Sequence, residues 1–283
     1  RVARAGASQA RHRLPAATRG LRGTAFWETM RGVDDCRHRT RQANQMNPPF
    51  RLRLLTSSLV GLLLIACADH SPPAPNRLTP AEQRAGWRLL FDGESFASWR
   101  EYRKSTFPQQ GWVIEAGCLR KVGGVRGGDL VTEAEFEDFE LSWEWKLPAK
   151  ANNGIKYLVL ESRPAAPGLE YQMIDDTLVP DAKHRTASFY DVLPPGPNAQ
   201  PRPVGEWNAS RIVVRGNRVE HWLNGANVLE YELGSPAVRA AVAKSKFKNA
   251  AGFGEKCRGR IMLTDHHDEA WFRNLKVRDL AAP

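Results

Sequence analysis

FELSWEWKL, Phe139 to Leu147, sets Phe139, Leu141, Trp143, Trp145 and Leu147 at every second position and Glu140, Ser142, Glu144 and Lys146 between them. A period of two is that of a strand with one apolar and one polar face. The same texture, short apolar or alternating runs broken by Gly, Asn and Pro, continues over residues 86–280. It predicts further strands at Arg88 to Phe91, Gly111 to Ile114, Cys118 to Lys121, Ile155 to Leu160, Glu170 to Ile174, Arg211 to Arg215, Arg218 to Leu223, Val228 to Glu232, Arg260 to Thr264 and Ala270 to Val277. That is enough for two packed sheets, an all-β sandwich. Gly216-Asn217 and Asn224-Gly225 are tight-turn dipeptides that make a meander of Arg211 to Tyr231. One helix interrupts the pattern: Ser235 caps it, Pro236 opens it, and AVRAAVAKSK supplies helix formers before Gly252 and Gly254. There is no internal repeat and no sign of a second domain.

Ahead of this domain, MNPPFRLRLLTSSLVGLLLIACADH from Met46 runs from basic Arg51 and Arg53 through an apolar stretch, Leu54 to Ala66, to a cysteine. This is signal-peptide anatomy, too short for the roughly 20 apolar residues of a permanent span. Its end, Leu64-Ile65-Ala66-Cys67, resembles the lipobox of bacterial lipoproteins, which implies lipidation of Cys67. Several acyl chains give stable anchoring where one is marginal. An ordinary secretory signal with an incidental cysteine is the plainer alternative. Residues 46–66 are thus read as a lipoprotein signal peptide, 67–85 as a flexible Ser- and Pro-containing tether, and 86–280 as the folded domain. The Arg-rich residues 1–45 are expected to be a disordered upstream extension, with Met46 the true initiator; a transit peptide is the competing reading. The expected location is the cell envelope, on a lipid anchor. Ala68 offers no Asp retention signal, which favours the outer membrane, facing the periplasm or the cell surface.

The formal charge of +10 suggests nucleic acid until it is located. Residues 1–45 hold ten Arg against Glu28, Asp34 and Asp35, and Arg51 and Arg53 add two more, so the chain from Cys67 onward is nearly neutral. No basic stripe interleaved with aromatics remains, and nucleic acid is not expected as a partner. Cys36, Cys67, Cys118 and Cys257 have no zinc spacing; Cys118 and Cys257 form either one bridge or two isolated thiols. Gly123-Gly124 and Gly127-Gly128 are not followed by a helix, so no nucleotide cofactor is expected. No GxSxG elbow supports a serine nucleophile.

Seven ordered motifs carry a resemblance: GWRLLFDGESFASW, NNGIKYLV, GLEYQMIDD, ASFYDVLPP, GEWNASRIVVRGNRVEHWLNG, SKFKNAAGFG and LTDHHDEAWFRNLKV. Together they resemble the bacterial 3-keto-disaccharide hydrolase family over nearly all of residues 86–280. The resemblance implies a concanavalin A-like jelly roll of two antiparallel sheets, one curved around a cleft, acting on glycosides oxidised to a ketone at carbon 3. It also implies a functional pairing with a sugar 3-oxidoreductase that makes the keto substrate. Where the family commonly reads Gln-Asp-His-Gly, this chain has Thr264-Asp265-His266-His267, which puts one polar contact in doubt.

Such a ketone acidifies the hydrogen on carbon 2. A base removes it, the enediolate expels the group on carbon 1, and water adds to the unsaturated sugar; a cation near the ketone oxygen and an acid near the leaving group assist. Strand alternation in Glu170-Tyr171-Gln172-Met173-Ile174-Asp175 puts Glu170 and Gln172 on one face, and a bulge could bring Asp175 there too. The spacing is similar to the E-x-D-x-x-E catalytic strand of laminarinase-type glycosidases; a solvated face with a turn-forming Asp is the plainer reading. His266 is a candidate base or metal ligand, His267 a loop residue, and Lys156 a candidate for polarising the ketone. The expected catalytic set is therefore Glu170, His266, Lys156 and Asp175. Gln172, Glu144, Arg273, His221 and Tyr190 are candidate sugar contacts, with Tyr190 and Trp207 suited to stacking. Glu144 lines the cleft if its strand is in the curved sheet and is merely solvated otherwise. A divalent ion on Glu170, Asp175 and His266 is chemically reasonable, though no spacing demands one. The alternatives to an enzyme are a non-catalytic, lectin-like carbohydrate-binding module and an adhesion or scaffold lipoprotein.

Overall fold

The computed structural model describes residues 74–280. Two antiparallel sheets pack face to face. The larger contains β1 (Arg88–Leu89), β3 (Trp112–Glu115), β4 (Cys118–Lys121), β6 (Phe139–Lys146), β9 (Asn208–Arg215), β10 (Arg218–Leu223), β11 (Ala226–Glu232) and β13 (Ala270–Asp279). Its order is β11-β10-β9-β6-β13-β4-β3, with β1 pairing to β13. The smaller contains β2 (Trp99–Glu101), β5 (Leu130–Thr132), β7 (Asn152–Val159), β8 (Leu169–Ile174) and β12 (Arg260–Leu263), in the order β2-β5-β12-β7-β8. β2 and β5 were not among the expected strands. At three residues each they are too short to show an alternation.

The FELSWEWKL pattern holds. Phe139, Leu141, Trp143 and Trp145 are buried between the sheets, where the Trp143 indole meets Tyr171 of the opposite sheet edge-on and its Nε1 donates to Met173 Sδ at 3.4 Å. Truncating a buried indole of this kind costs about 3–5 kcal/mol. The meander turns are also as expected: Gly216 has φ of 55°, and Asn224 and Gly225 have φ of 48° and 88°, the positive values that hairpin turns require.

Two boundaries differ. Residues 67–85 were expected to be a tether throughout, but from Asn76 the chain is docked. The buried Asn76 receives Asn274 N–H at 2.8 Å, gives its own N–H to Asn274 Oδ1 at 2.6 Å, and donates Nδ2–H to Gly117 O at 2.7 Å. A second helix, α1 (Pro80–Arg84), follows with a Thr79/Glu82 capping box, and Glu82 pairs with Lys276. The expected helix, α2 (Pro236–Ala243), is capped by Ser235 but stops before Lys244. Ser245 then turns the chain, donating to Val242 O at 2.8 Å and accepting from Phe247 N at 3.0 Å. Cys118 and Cys257 are free thiols. The signal-peptide, lipidation and upstream-extension expectations, Cys67 included, lie outside the described residues.

Candidate active site

The outward face of the smaller sheet carries the site. β7 and β8 pair so that Gly154 faces Gln172 and Lys156 faces Glu170, while Ile155, Tyr157, Tyr171 and Met173 turn into the core. Glu170 lies flat over the strand beside it: a Cβ on Gly154 would meet Glu170 Oε1 at 2.3 Å, so glycine is what leaves room for the carboxylate. His266 arrives from the loop after β12, with its Nε2 3.4 Å from Glu170 Oε1. That loop is fastened to β7, because Thr264 N and Oγ1 both donate to Gly154 O and Asn153 Nδ2 donates to Thr264 O. It is fastened again by Asp265, which accepts from Gly127 N at 2.6 Å and Gly128 N at 2.9 Å and pairs with the fully buried Lys121 at 3.0 Å.

These residues enclose a pocket of about 190 Å³ lined by Asn152, Lys156, Gly168, Glu170, Gln172, Tyr190, Lys246, Phe247 and His266. Gln172 Nε2 donates to Asn152 Oδ1 at 3.1 Å, which sets both amides on one wall. Burial alone would raise the Glu170 pKa, but the hydrogen bond with His266 and the nearby positive charge of Lys156 and Lys246 outweigh it and hold the group below its ordinary value. Glu170 is therefore an ionised carboxylate only 6% exposed. Desolvation lowers the Lys246 ammonium, partly offset by Glu170 and Asp191. Neither the Lys156 nor the Lys246 ammonium donates a hydrogen bond within the described residues, so both cations are available to a ligand.

Of the expected residues, Glu170, His266, Lys156, Gln172 and Tyr190 are brought together, and five are not. Asp175 caps a 3₁₀ turn, accepting from Lys150 N at 2.9 Å and Thr177 Oγ1 at 2.7 Å, and it borders a different, mostly apolar cavity of about 370 Å³. The strand ends at Ile174 without the bulge that would have turned Asp175 to the Glu170 face. His221 is in the core, with Nε2 2.9 Å from Tyr157 Oη and Nδ1 2.9 Å from Ala187 O; burial pushes its pKa down to about 4. Glu144 and Arg273 pair at 2.6 Å on the outward face of the larger sheet, away from the pocket strands. Trp207 also lies there, 4.1 Å beneath the Arg273 guanidinium. Tyr190 lines the pocket, but its ring is engaged by Lys246 at 4.2 Å and by His184 at 5.0 Å, so the expected stacking on sugar gives way to a hydroxyl with no partner among the described residues.

Lys246 and Asn152 were missed. Both fall in quoted motifs, SKFKNAAGFG and NNGIKYLV, but Lys246 reads as the end of a helix and Asn152 lies ahead of the strand expected from Ile155. The expected metal trio does not assemble: Glu170 and His266 supply two donors beside two ammonium groups, and no cluster of three His, Cys, Asp or Glu side chains suited to a metal occurs among the described residues.

The sequence profile of the family described as a 3-keto-alpha-glucoside-1,2-lyase-like domain matches residues 86–278. The chain belongs to this family. A 3-keto-disaccharide hydrolase of Bacteroides thetaiotaomicron is 36% identical, the match covering 69% of this chain and 79% of that protein. A crystal structure from Parabacteroides distasonis, provisionally assigned as a glycosyl hydrolase, superposes with a TM-score of 0.66 at 31% identity, over 73% of this chain and 100% of the other. A second protein of that organism, with the same provisional assignment, shares the fold at 23% identity, with a TM-score of 0.56 over 69% of this chain and 99% of its own.

Proposed function

We propose that this protein hydrolyses 3-keto-glycosides by proton abstraction at carbon 2, elimination and hydration. The observation that carries the reading is the convergence of a carboxylate–imidazole pair and two unpaired ammonium groups in one small pocket. About 190 Å³ is below the range usual for drug-sized ligands and suits one sugar ring, leaving the other ring of a disaccharide outside.

Ionised Glu170 accepts from His266 Nε2, which makes Nδ1 the basic nitrogen and stabilises the imidazolium formed when it takes the proton from carbon 2. The 3.4 Å separation leaves room to tighten when substrate excludes water. Electrons from the broken C–H bond move onto the ketone oxygen, where Lys156 and Lys246 oppose the developing negative charge. The bond from carbon 1 to the leaving oxygen then breaks, its electron pair leaving with that oxygen. Burial raises the Tyr190 phenol, so it stays protonated and able to give a proton to the departing group. Water adds its hydroxyl to carbon 1 and gives its remaining proton to the Tyr190 phenolate, and the imidazolium returns a proton to carbon 2. No step is routed through a metal.

Incubation of the purified domain with a 3-keto-disaccharide in D2O should release the free aglycone sugar and leave deuterium at carbon 2 of the product. Turnover no greater than that of E170Q, with or without added divalent ion, would sink the reading. Saturable binding without turnover would instead support the lectin-like alternative.

The lipid anchor is part of the same proposal. The motif Leu64-Ile65-Ala66-Cys67 supports tethering in the envelope, and C67S should abolish incorporation of labelled palmitate. A substrate carrying a ketone at carbon 3 also implies a sugar 3-oxidoreductase working ahead of this enzyme.

A further inference from the structure

Behind the pocket wall that carries Tyr190 and Lys246 lies a carboxylate that the chemistry above does not use. Asp191 Oδ2 accepts the backbone N–H of Lys246 at 2.6 Å, and its Oδ1 is 2.7 Å from His184 Nε2. Its own N–H donates to Lys183 O at 2.9 Å. One side chain thus ties together the 3₁₀ turn Ala182–His184, the loop holding Tyr190 and the turn that follows α2. Asp191 does this with φ of 63°, in the left-handed region where a non-glycine residue is strained and where Asp is among the residues that tolerate it.

We infer that Asp191 is a positioning residue that holds Lys246 at the pocket, acting through the Lys246 backbone N–H and the His184–Tyr190 wall. The inference rests on the role given to Lys246 in the proposed reaction. Lys246 follows the end of α2, and no strand pairing or ion pair of its side chain holds it among the described residues. The contact with Asp191 fixes the backbone at the residue itself. Tyr190, next to Asp191 in the chain, supplies the ring over which the ammonium rests at 4.2 Å. His184 packs on the same ring, so the imidazole that clamps Asp191 also braces Tyr190.

The test compares kcat and KM for D191A, K246M and the double variant on a 3-keto-disaccharide. Residues that act as a unit lose activity non-additively. D191A should lower kcat by about 10- to 100-fold, and D191A/K246M should be no slower than K246M. D191N keeps an oxygen for the Lys246 N–H and should recover part of the loss. A second readout needs no turnover: acylation of Lys246 against pH, followed by mass spectrometry with exposed Lys104 as internal standard. At the high-pH plateau, where the charge of residue 191 no longer sets the protonation of the amine, Lys246 in its pocket should react more slowly than exposed Lys104 in the wild type and approach the Lys104 rate in D191A. Should D191A not fold, D191N carries the same labelling comparison. Full activity in K246M would remove Lys246 from the reaction while the labelling still tested Asp191. A double variant much slower than K246M, or identical labelling of Lys246 in wild type and variant, would overturn the positioning role.

Discussion

The two sheets turn very different surfaces to solvent. On the larger one, cations and indoles form a quilt: Arg120 lies 4.8 Å over Trp271, Lys146 4.8 Å over Trp271 and 5.2 Å over Trp207, and Arg273 4.1 Å over Trp207 while bonding Glu144. A second row runs from Trp87 through Arg278, Glu140 and Arg211 to Trp222, with Arg211 4.0 Å over that ring. The cations there are matched by a carboxylate, an indole or both. On the smaller sheet, two ammonium groups and a buried carboxylate share a pocket and the ammonium groups make no hydrogen bond. Both faces look polar, but most cations of the larger sheet are paired with a carboxylate, whereas the pocket ammonium groups, Lys246 over the Tyr190 ring and Lys156 over none, keep their hydrogen bonds for a ligand.

The sharpest way to break this contrast is to exchange Glu for Gln on each face. E170Q should lower kcat by about 10²- to 10⁴-fold, the usual worth of a proton-transfer group, while E144Q should leave kcat/KM unchanged in the same assay. G154A should approach the E170Q loss, because its Cβ occupies the place of Glu170 Oε1 with only 2.3 Å between them; a crystal structure of the variant would show the carboxylate displaced. K156M should cost about 10²- to 10³-fold in kcat if it meets the developing oxyanion.

Between the faces, His221 links the sheets, and its effect is on stability. Its folded pKa of about 4 lies below the ordinary 6.5, so the unfolded chain binds more protons between those values. Its contribution is fully present above pH 6.5 and is lost as the pH falls toward 4, by about 3 kcal/mol at most. Denaturant melts at pH 7 and pH 4.5 should show the difference, and H221N should reduce it. The smallest effect expected is R273A, about 1 kcal/mol in a denaturant melt with activity intact, since a partly exposed ion pair and one cation–π contact are each worth little. A large activity loss in R273A would mean that the quilted face takes part in the function.

Much of the sandwich was readable in advance because strand alternation and turn dipeptides are local signals. FELSWEWKL, Gly216-Asn217 and Asn224-Gly225 each carry their instruction within a few residues. The failures were also local in origin. Asn76 looked like tether because its partners, Asn274 and Gly117, are distant in the chain. Lys246 looked helical because AVRAAVAKSK has the right composition and nothing in it marks Ser245 as the turn.

The sequence by itself carried the seven family motifs, and its period of two determined the sandwich class and the outward direction of Glu170, Gln172 and Lys156. Only the tertiary structure decided which outward residues share a face. Glu144 and Glu170 are equivalent as text, each an acid on the polar side of a strand. β6 joins the larger sheet and β8 the smaller. That choice is made by pairing between strands far apart in the chain, and it puts one glutamate under an arginine and the other beside a histidine.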